Sequence, residues 1–136
     1  MTNDLIVNKE NSILKITFNR PERRNALSHD MLNTLYHELI KAENDSSIRA
    51  LVLTGAGNAF CAGGDLKDMA ERDNEEETTQ EKTNNLRRMM EASRILHEMP
   101  IPTIAILPGA AAGAGLSLAL ACDMRIASEN AKITTA

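Results

Sequence analysis

Two glycine-rich stretches hold the residue types that could do chemistry. CAGGD (Cys61–Asp65) and GAAAGAGLS (Gly109–Ser117) lack bulky side chains, so a ligand could approach their backbone closely. The chemistry that bare amides perform is anion binding. The first N–H groups of a helix are unpaired and sit at the positive end of its dipole. A helix beginning near Ala112–Gly115 would present such groups. The same small residues could instead serve only tight helix–strand packing, and the residues alone leave both readings open. Ser117 adds a hydroxyl that can hold a water but is a poor general base at neutral pH. The nearest acids are Asp65, which reads as the cap of a following helix, and Asp123, which reads as structural.

Other site chemistries find less support. GAGNAF (Gly55–Phe60) and GAGLSL (Gly113–Leu118) begin like a dinucleotide fingerprint but carry Phe60 and Leu118 where its third glycine belongs. No phosphate-loop G-K-[ST] ending is present. Cys61 and Cys122 have no metal-ligand spacing; they read as buried small hydrophobes and fit a reducing, cytoplasmic setting. His29, His37 and His97 are scattered and read as surface or packing residues. Aromatic residues are 2% of the chain, namely Phe18, Tyr36 and Phe60, which leaves almost no platform for base stacking. The net charge of −4 disfavours broad phosphate-backbone binding, so no nucleic-acid partner is expected. A local cluster, Arg20, Arg23 and Arg24, could still meet a small anion.

The uncharged run Met99–Cys122 is long enough to span a bilayer, and Gly109 and Gly113 form a G-xxx-G pair. Pro100, Pro102 and Pro108 cut it into a short strand and a short helix, and no basic cluster flanks one side. It reads as buried within a protein rather than within a membrane. The N-terminus has no basic region followed by a long apolar one, so no secretory signal is expected.

The elements around these stretches alternate. SILKITFN (Ser12–Asn19) reads as a strand with Leu14, Ile16 and Phe18 on one face. After the loop RPERRNALS, Ser28 is a candidate N-cap for a helix with apolar positions Met31, Leu32, Leu35, Tyr36, Leu39 and Ile40. IRALVLTG (Ile48–Gly55) is a second, buried strand. A short helical turn follows CAGGD. Residues 71–82 contain six acids and no large apolar residue, and read as a mobile loop. Helical spacing resumes at Leu86, Met89, Met90, Ser93 and Leu96 and stops at Pro100. TIAIL (Thr103–Leu107) and MRIAS (Met124–Ser128) are further strands. The fold class is α/β, helices covering a sheet, and strand, glycine-rich loop and helix occur in that order twice.

RRNALS, ALVLTGAGNAFCAGGDL and PTIAILPGAAAGAGLSLALACDMRIASENAK together resemble the enoyl-CoA hydratase/isomerase (crotonase) family, in register from Ser12 to the last residue. The resemblance implies a crotonase-like spiral of ββα units, here its N-terminal part, ending before the C-terminal helices. It implies an acyl-CoA or enoyl-CoA substrate, with coenzyme A part of that substrate and no separate cofactor or metal. It also implies a homotrimer or dimer of trimers at full length. By motif position, the backbone N–H groups of Gly64 and Ala114 would receive the thioester oxygen as negative charge develops on it. Gly64 is further expected to use a backbone conformation closed to other residues. Arg24, Ala26 and Leu27 match the segment that contacts coenzyme A; Ala62, Asp65, Leu66 and Gly113 border the same groove. Met69 and Leu86–Met90 stand near the acyl pocket or belong to the core.

One departure bears on the reaction. Hydratases of this family carry a glutamate at the position held here by Ser117 and a second one place beyond Ala136. Ser117 is expected to face the reacting carbons and to position water. Hydration or double-bond isomerisation of an enoyl-CoA is the first reading. The alternative is a non-catalytic acyl-CoA-binding or partner-dependent fragment without the catalytic carboxylates.

Overall fold

The computed structural model describes residues 3–73 and 78–135. Strand β1 (Leu5–Glu10) and strand β2 (Ile13–Phe18) form an antiparallel hairpin closed by Asn11 and Ser12. Both turn residues have positive φ, 49° and 66°, the signature of the two-residue turn that matches strand twist. Leu14, Ile16 and Phe18 are all buried, as the alternation predicts.

The chain then builds two sheets in step. β3 (Ala50–Gly55), β5 (Thr103–Leu107) and β7 (Met124–Ala127) extend the first sheet in parallel, in the order β1-β2-β3-β5-β7. After each of these comes a short strand of a second parallel sheet, β4 (Ala59–Cys61), β6 (Ala110–Ala112) and β8 (Ile133–Thr134). Each turn of the spiral thus lays down one long and one short strand. Phe18 of the first sheet meets Phe60 of the second edge to face, with ring centroids 5.5 Å apart, and joins the two layers.

Helices cover this frame. α1 (His29–Glu43) starts at Ser28, whose side-chain oxygen accepts the Met31 N–H at 3.2 Å. It buries Met31, Leu32, Leu35 and Leu39, with Tyr36 and Ile40 packed at the margin. α1 lies on α3 (Thr79–Glu98), and α3 on α4 (Ala114–Ala121). α4 is the short helix anticipated in the uncharged run, and no described helix is long and apolar enough to cross a membrane.

Two expectations are revised. The acidic segment is not loop throughout: residues 71–73 close α2 (Leu66–Asp73), and α3 begins at Thr79. Thr78 and Glu81 form a reciprocal capping box, which starts the helix well before its apolar spacing begins; residues 74–77, the rest of that proposed mobile stretch, lie outside the described residues. Among the α3 residues whose burial is described, Ala92, Ile95 and Leu96 are buried, whereas Leu86 and Met90 are more than half exposed. The strands β1, β4, β6 and β8 had no clear sequence signal.

Replacing Ser28 by alanine removes the acceptor of the Met31 N–H while α1 keeps its buried face. The expected result is a loss of about 1 kcal/mol of stability, read as a lower urea midpoint with an unchanged slope.

Candidate active site

The loop after β4 is laced to the loop before α1 by three backbone hydrogen bonds. Ala62 N–H donates to the Arg24 carbonyl at 3.0 Å, Leu27 N–H to Gly63 at 2.7 Å, and Asp65 N–H to Leu27 at 3.0 Å. Leu27 therefore pairs with the residues on either side of Gly64, as in a one-residue parallel ladder. In such a ladder the flanked residue turns its own N–H to the opposite side. Among the described residues the Gly64 N–H has no acceptor. The left-handed backbone expected at Gly64 belongs instead to its neighbour, Gly63, with φ of 98°. A side chain at Gly63 would come within 3.1 Å of the Ala112 carbonyl oxygen, which fixes glycine there.

The start of α4 stands close to Gly63. A Cβ on Gly63 would lie 3.8 Å from the Ala114 nitrogen, and one on Gly115 would collide with the Cys61 carbonyl oxygen at 2.5 Å. Packing this close is possible only because Gly115 has no side chain. Gly113 occupies the N-cap position with φ of 51° and no side chain to accept a hydrogen bond. The Ala114 N–H has no acceptor among the described residues. A Cβ on Gly113 would meet nothing within 4 Å, so the space before the helix is open. The far end of α4 is treated differently: the Arg125 guanidinium donates to the carbonyls of Ala119, Leu120 and Cys122. A cation there satisfies orphan carbonyls and suits the negative end of the dipole.

Beside the Ala114 N–H lies a recess of about 150 Å³ lined by Leu27, Leu32, Leu86, Met90, Ser93, Ala114, Ser117 and Leu118. Its walls are mostly apolar, and among the described residues no carboxylate lines it. Ser117 is exposed and its hydroxyl donates to the Gly113 carbonyl at 3.3 Å. The exposed Leu86 and Met90 of α3 are thus the outer wall of this recess. Met69 stands nearer the loop, its sulfur 3.2 Å from where a Gly64 side chain would be.

The remaining expected residues separate by role. Arg24, Ala62 and Leu66 are exposed along the laced loops, and Ala26 is half-buried. Leu27 is buried and serves the recess wall. Arg20 is withdrawn from the proposed anion-binding cluster: it is largely buried, and its guanidinium bonds Asp65 at 2.9 Å and the Ala26 carbonyl at 2.7 Å. Arg23 also approaches Asp65, at 3.6 Å. Asp65 caps α2 as expected, accepting the Lys67 and Asp68 N–H groups. Burial pushes its carboxyl up, but the Asp68 amide and the Arg20 guanidinium outweigh that and hold it below the usual range. Asp123 is structural as expected, its carboxylate accepting the N–H and hydroxyl of buried Thr103.

Asn25 was not anticipated. It is fully buried with φ of 56°, accepts the Arg20 N–H and donates to the carbonyls of Ala56 and Ala59. An asparagine inside a proline-started loop, able to adopt left-handed backbone, was the available signal.

The family model for enoyl-CoA hydratase/isomerase matches residues 8–136. The 2,3-dehydroadipyl-CoA hydratase of Escherichia coli is 41% identical over 129 residues, which are 95% of this chain and 48% of that protein. The short-chain-enoyl-CoA hydratase of Clostridium acetobutylicum is 37% identical over 96% of this chain and 48% of its own length. A crystal structure of an enoyl-CoA hydratase/isomerase from Marinobacter aquaeolei superposes with a TM-score of 0.89 at 40% identity, covering 97% of this chain and 51% of that one. The chain spans about half the length of the curated relatives it matches.

Both thiols are buried. Burial raises the Cys61 thiol to about 11, partly offset by the Gly63 N–H, and burial likewise raises Cys122 to about 11. A raised thiol pKa leaves little thiolate below that pH. Reaction with a disulfide reagent at pH 8 is expected to be slow in the native protein and complete after addition of denaturant. Rapid native labelling of either cysteine contradicts the packing described.

Proposed function

The chain belongs to the enoyl-CoA hydratase/isomerase family, and on that premise we propose that it holds the thioester carbonyl of an acyl-CoA between the N–H groups of Gly64 and Ala114. One observation carries this reading: the N–H groups of Gly64 and Ala114 have no acceptor among the described residues, and the second stands at the start of a helix. Addition of water to an enoyl-CoA, or a shift of its double bond, passes through negative charge on the thioester oxygen. Donors already fixed in place stabilise that charge without reorganising. The acyl chain would lie in the recess bounded by Leu27, Leu86, Met90 and Leu118, where apolar walls match an aliphatic chain. Coenzyme A enters as part of the substrate, along the exposed Arg24, Ala62 and Leu66, with Arg24 offering charge to a phosphate. No separate cofactor belongs to this reading. The two buried free cysteines support a reducing, cytoplasmic setting, and a trimer or dimer of trimers is part of the same proposal.

Ser117 is the polar side chain of the recess nearest the helix start, and its role is to hold water rather than to take a proton. The second reading, acyl-CoA binding without turnover, is favoured by one observation, that no carboxylate lines the recess among the described residues. Incubation with crotonyl-CoA separates the two. Loss of the conjugated thioester absorbance supports an enzyme; retention of the absorbance with measurable binding supports the second reading.

Ala114 permits a sharp test because proline is tolerated at the first helical position yet has no N–H. Ala114→Pro is expected to lower turnover by ~10²–10³, the worth of one such donor, while the protein stays folded. Where no turnover is measurable, the same variant should lose the preference for an acyl thioester over free coenzyme A. Unchanged turnover and unchanged preference in a folded variant would rule out Ala114 as a donor.

A further inference from the structure

Asp65 stands next to the Gly64 donor, yet its carboxylate is committed elsewhere. We propose that the buried Arg20–Asp65 ion pair is a positioning element that aims the Gly64 N–H at the thioester oxygen. The proposal rests on the reading of Gly64 as a donor and adds residues that touch no substrate.

The geometry makes one guanidinium a clamp across both laced segments. Arg20 Nη1 donates to the Ala26 carbonyl at 2.7 Å, within its own loop, and Nη2 meets Asp65 at 2.9 Å on the other. The Arg20 amide is itself held by the Asn25 side chain at 2.8 Å, and Asn25 reaches on to Ala56 and Ala59, just before β4 and within it. The other Asp65 oxygen accepts the Lys67 and Asp68 N–H groups, which fixes where α2 begins. Gly64 is therefore bounded by anchored residues on both sides, the Leu27 ladder before and after it and the charged clamp immediately following.

Stability alone does not account for this pair. The Asp65 side chain is 6% exposed and that of Arg20 14%. At such burial an ion pair roughly breaks even against apolar side chains of the same volume. What a guanidinium–carboxylate contact supplies is direction, through charge-assisted bonds of fixed geometry. Direction matters here because a hydrogen bond weakens steeply as it bends.

The test compares two ligands of the full chain: butyryl-CoA, and its thioether analogue in which CH₂ replaces the carbonyl. Only the first offers an oxygen to Gly64, so the affinity ratio reports the donor and cancels packing elsewhere. Asp65→Asn keeps size but removes the charge; Arg20→Lys keeps the charge but removes the fork. The expected result is a ratio reduced roughly five- to tenfold in Asp65→Asn, about the worth of one hydrogen bond. A smaller fall is expected in Arg20→Lys, with thioether affinity unchanged in both. A ratio equal to wild type in either folded variant overturns the proposal, as does parallel weakening of both ligands. If Asp65→Asn does not fold, Arg20→Lys decides. A wild-type protein that binds both ligands equally removes the donor reading and this proposal with it. One that binds neither removes the proposed function itself.

Discussion

The first N–H groups of a helix have no intrahelical acceptor, and at the start of α4 no side chain of the described residues provides one. Gly113 has nothing to offer as a cap, and the space before it is open. The opposite end of the same helix is closed by Arg125, which satisfies three carbonyls. That asymmetry leaves the helix with an uncompensated positive end close to Gly63. Much of the surrounding composition follows from it. Gly115 must be bare for α4 to reach Cys61, Gly63 must be glycine to turn beneath Ala112, and β6 is built from alanine alone.

The spiral explains why the loop after β4 and the start of α4 lie close together. β3, β5 and β7 of the first sheet are each followed by a short strand of the second, so successive turns stack their connecting loops in line. The loop after β4 and the turn after β6 are equivalent points of adjacent turns, and β4 pairs directly with β6. The site is thus a property of neighbouring repeats and not of any single motif. The large sheet and the α1–α3 layer provide the rigid backing, with Phe18 against Phe60 tying one sheet to the other.

Much of this was legible in the sequence, and the rest was hidden for identifiable reasons. Leu14, Ile16 and Phe18 declare β2 by alternation, Ser28 declares the start of α1, and Thr103–Leu107 stands out between its prolines. The family resemblance pointed to Gly64 and Ala114, whose N–H groups have no acceptor among the described residues. β4 and β6 are three residues each, too short to carry a pattern; β4 is buried throughout and β6 is alanine alone. The start of α3 was obscured because Thr78 and Glu81 cap a polar turn inside a run of acids. Spacing in sequence could not show that Arg20 and Asp65 form a pair, because 45 positions separate them and only the lacing of two loops brings them together. The same lacing moved the left-handed glycine by one residue, from Gly64 to Gly63, since the ladder with Leu27 requires extended backbone at its centre.

The most direct measurement is vibrational. Butyryl-CoA carrying a ¹³C-labelled thioester carbonyl would be followed by isotope-edited infrared difference spectroscopy on binding to the protein. A carbonyl that accepts two backbone N–H bonds at a helix start is polarised, so its stretch should move to lower frequency than in water, and most of that shift should vanish in Ala114→Pro. A bound carbonyl with the frequency it has in water, or a shift that survives the loss of the Ala114 N–H, would contradict the account.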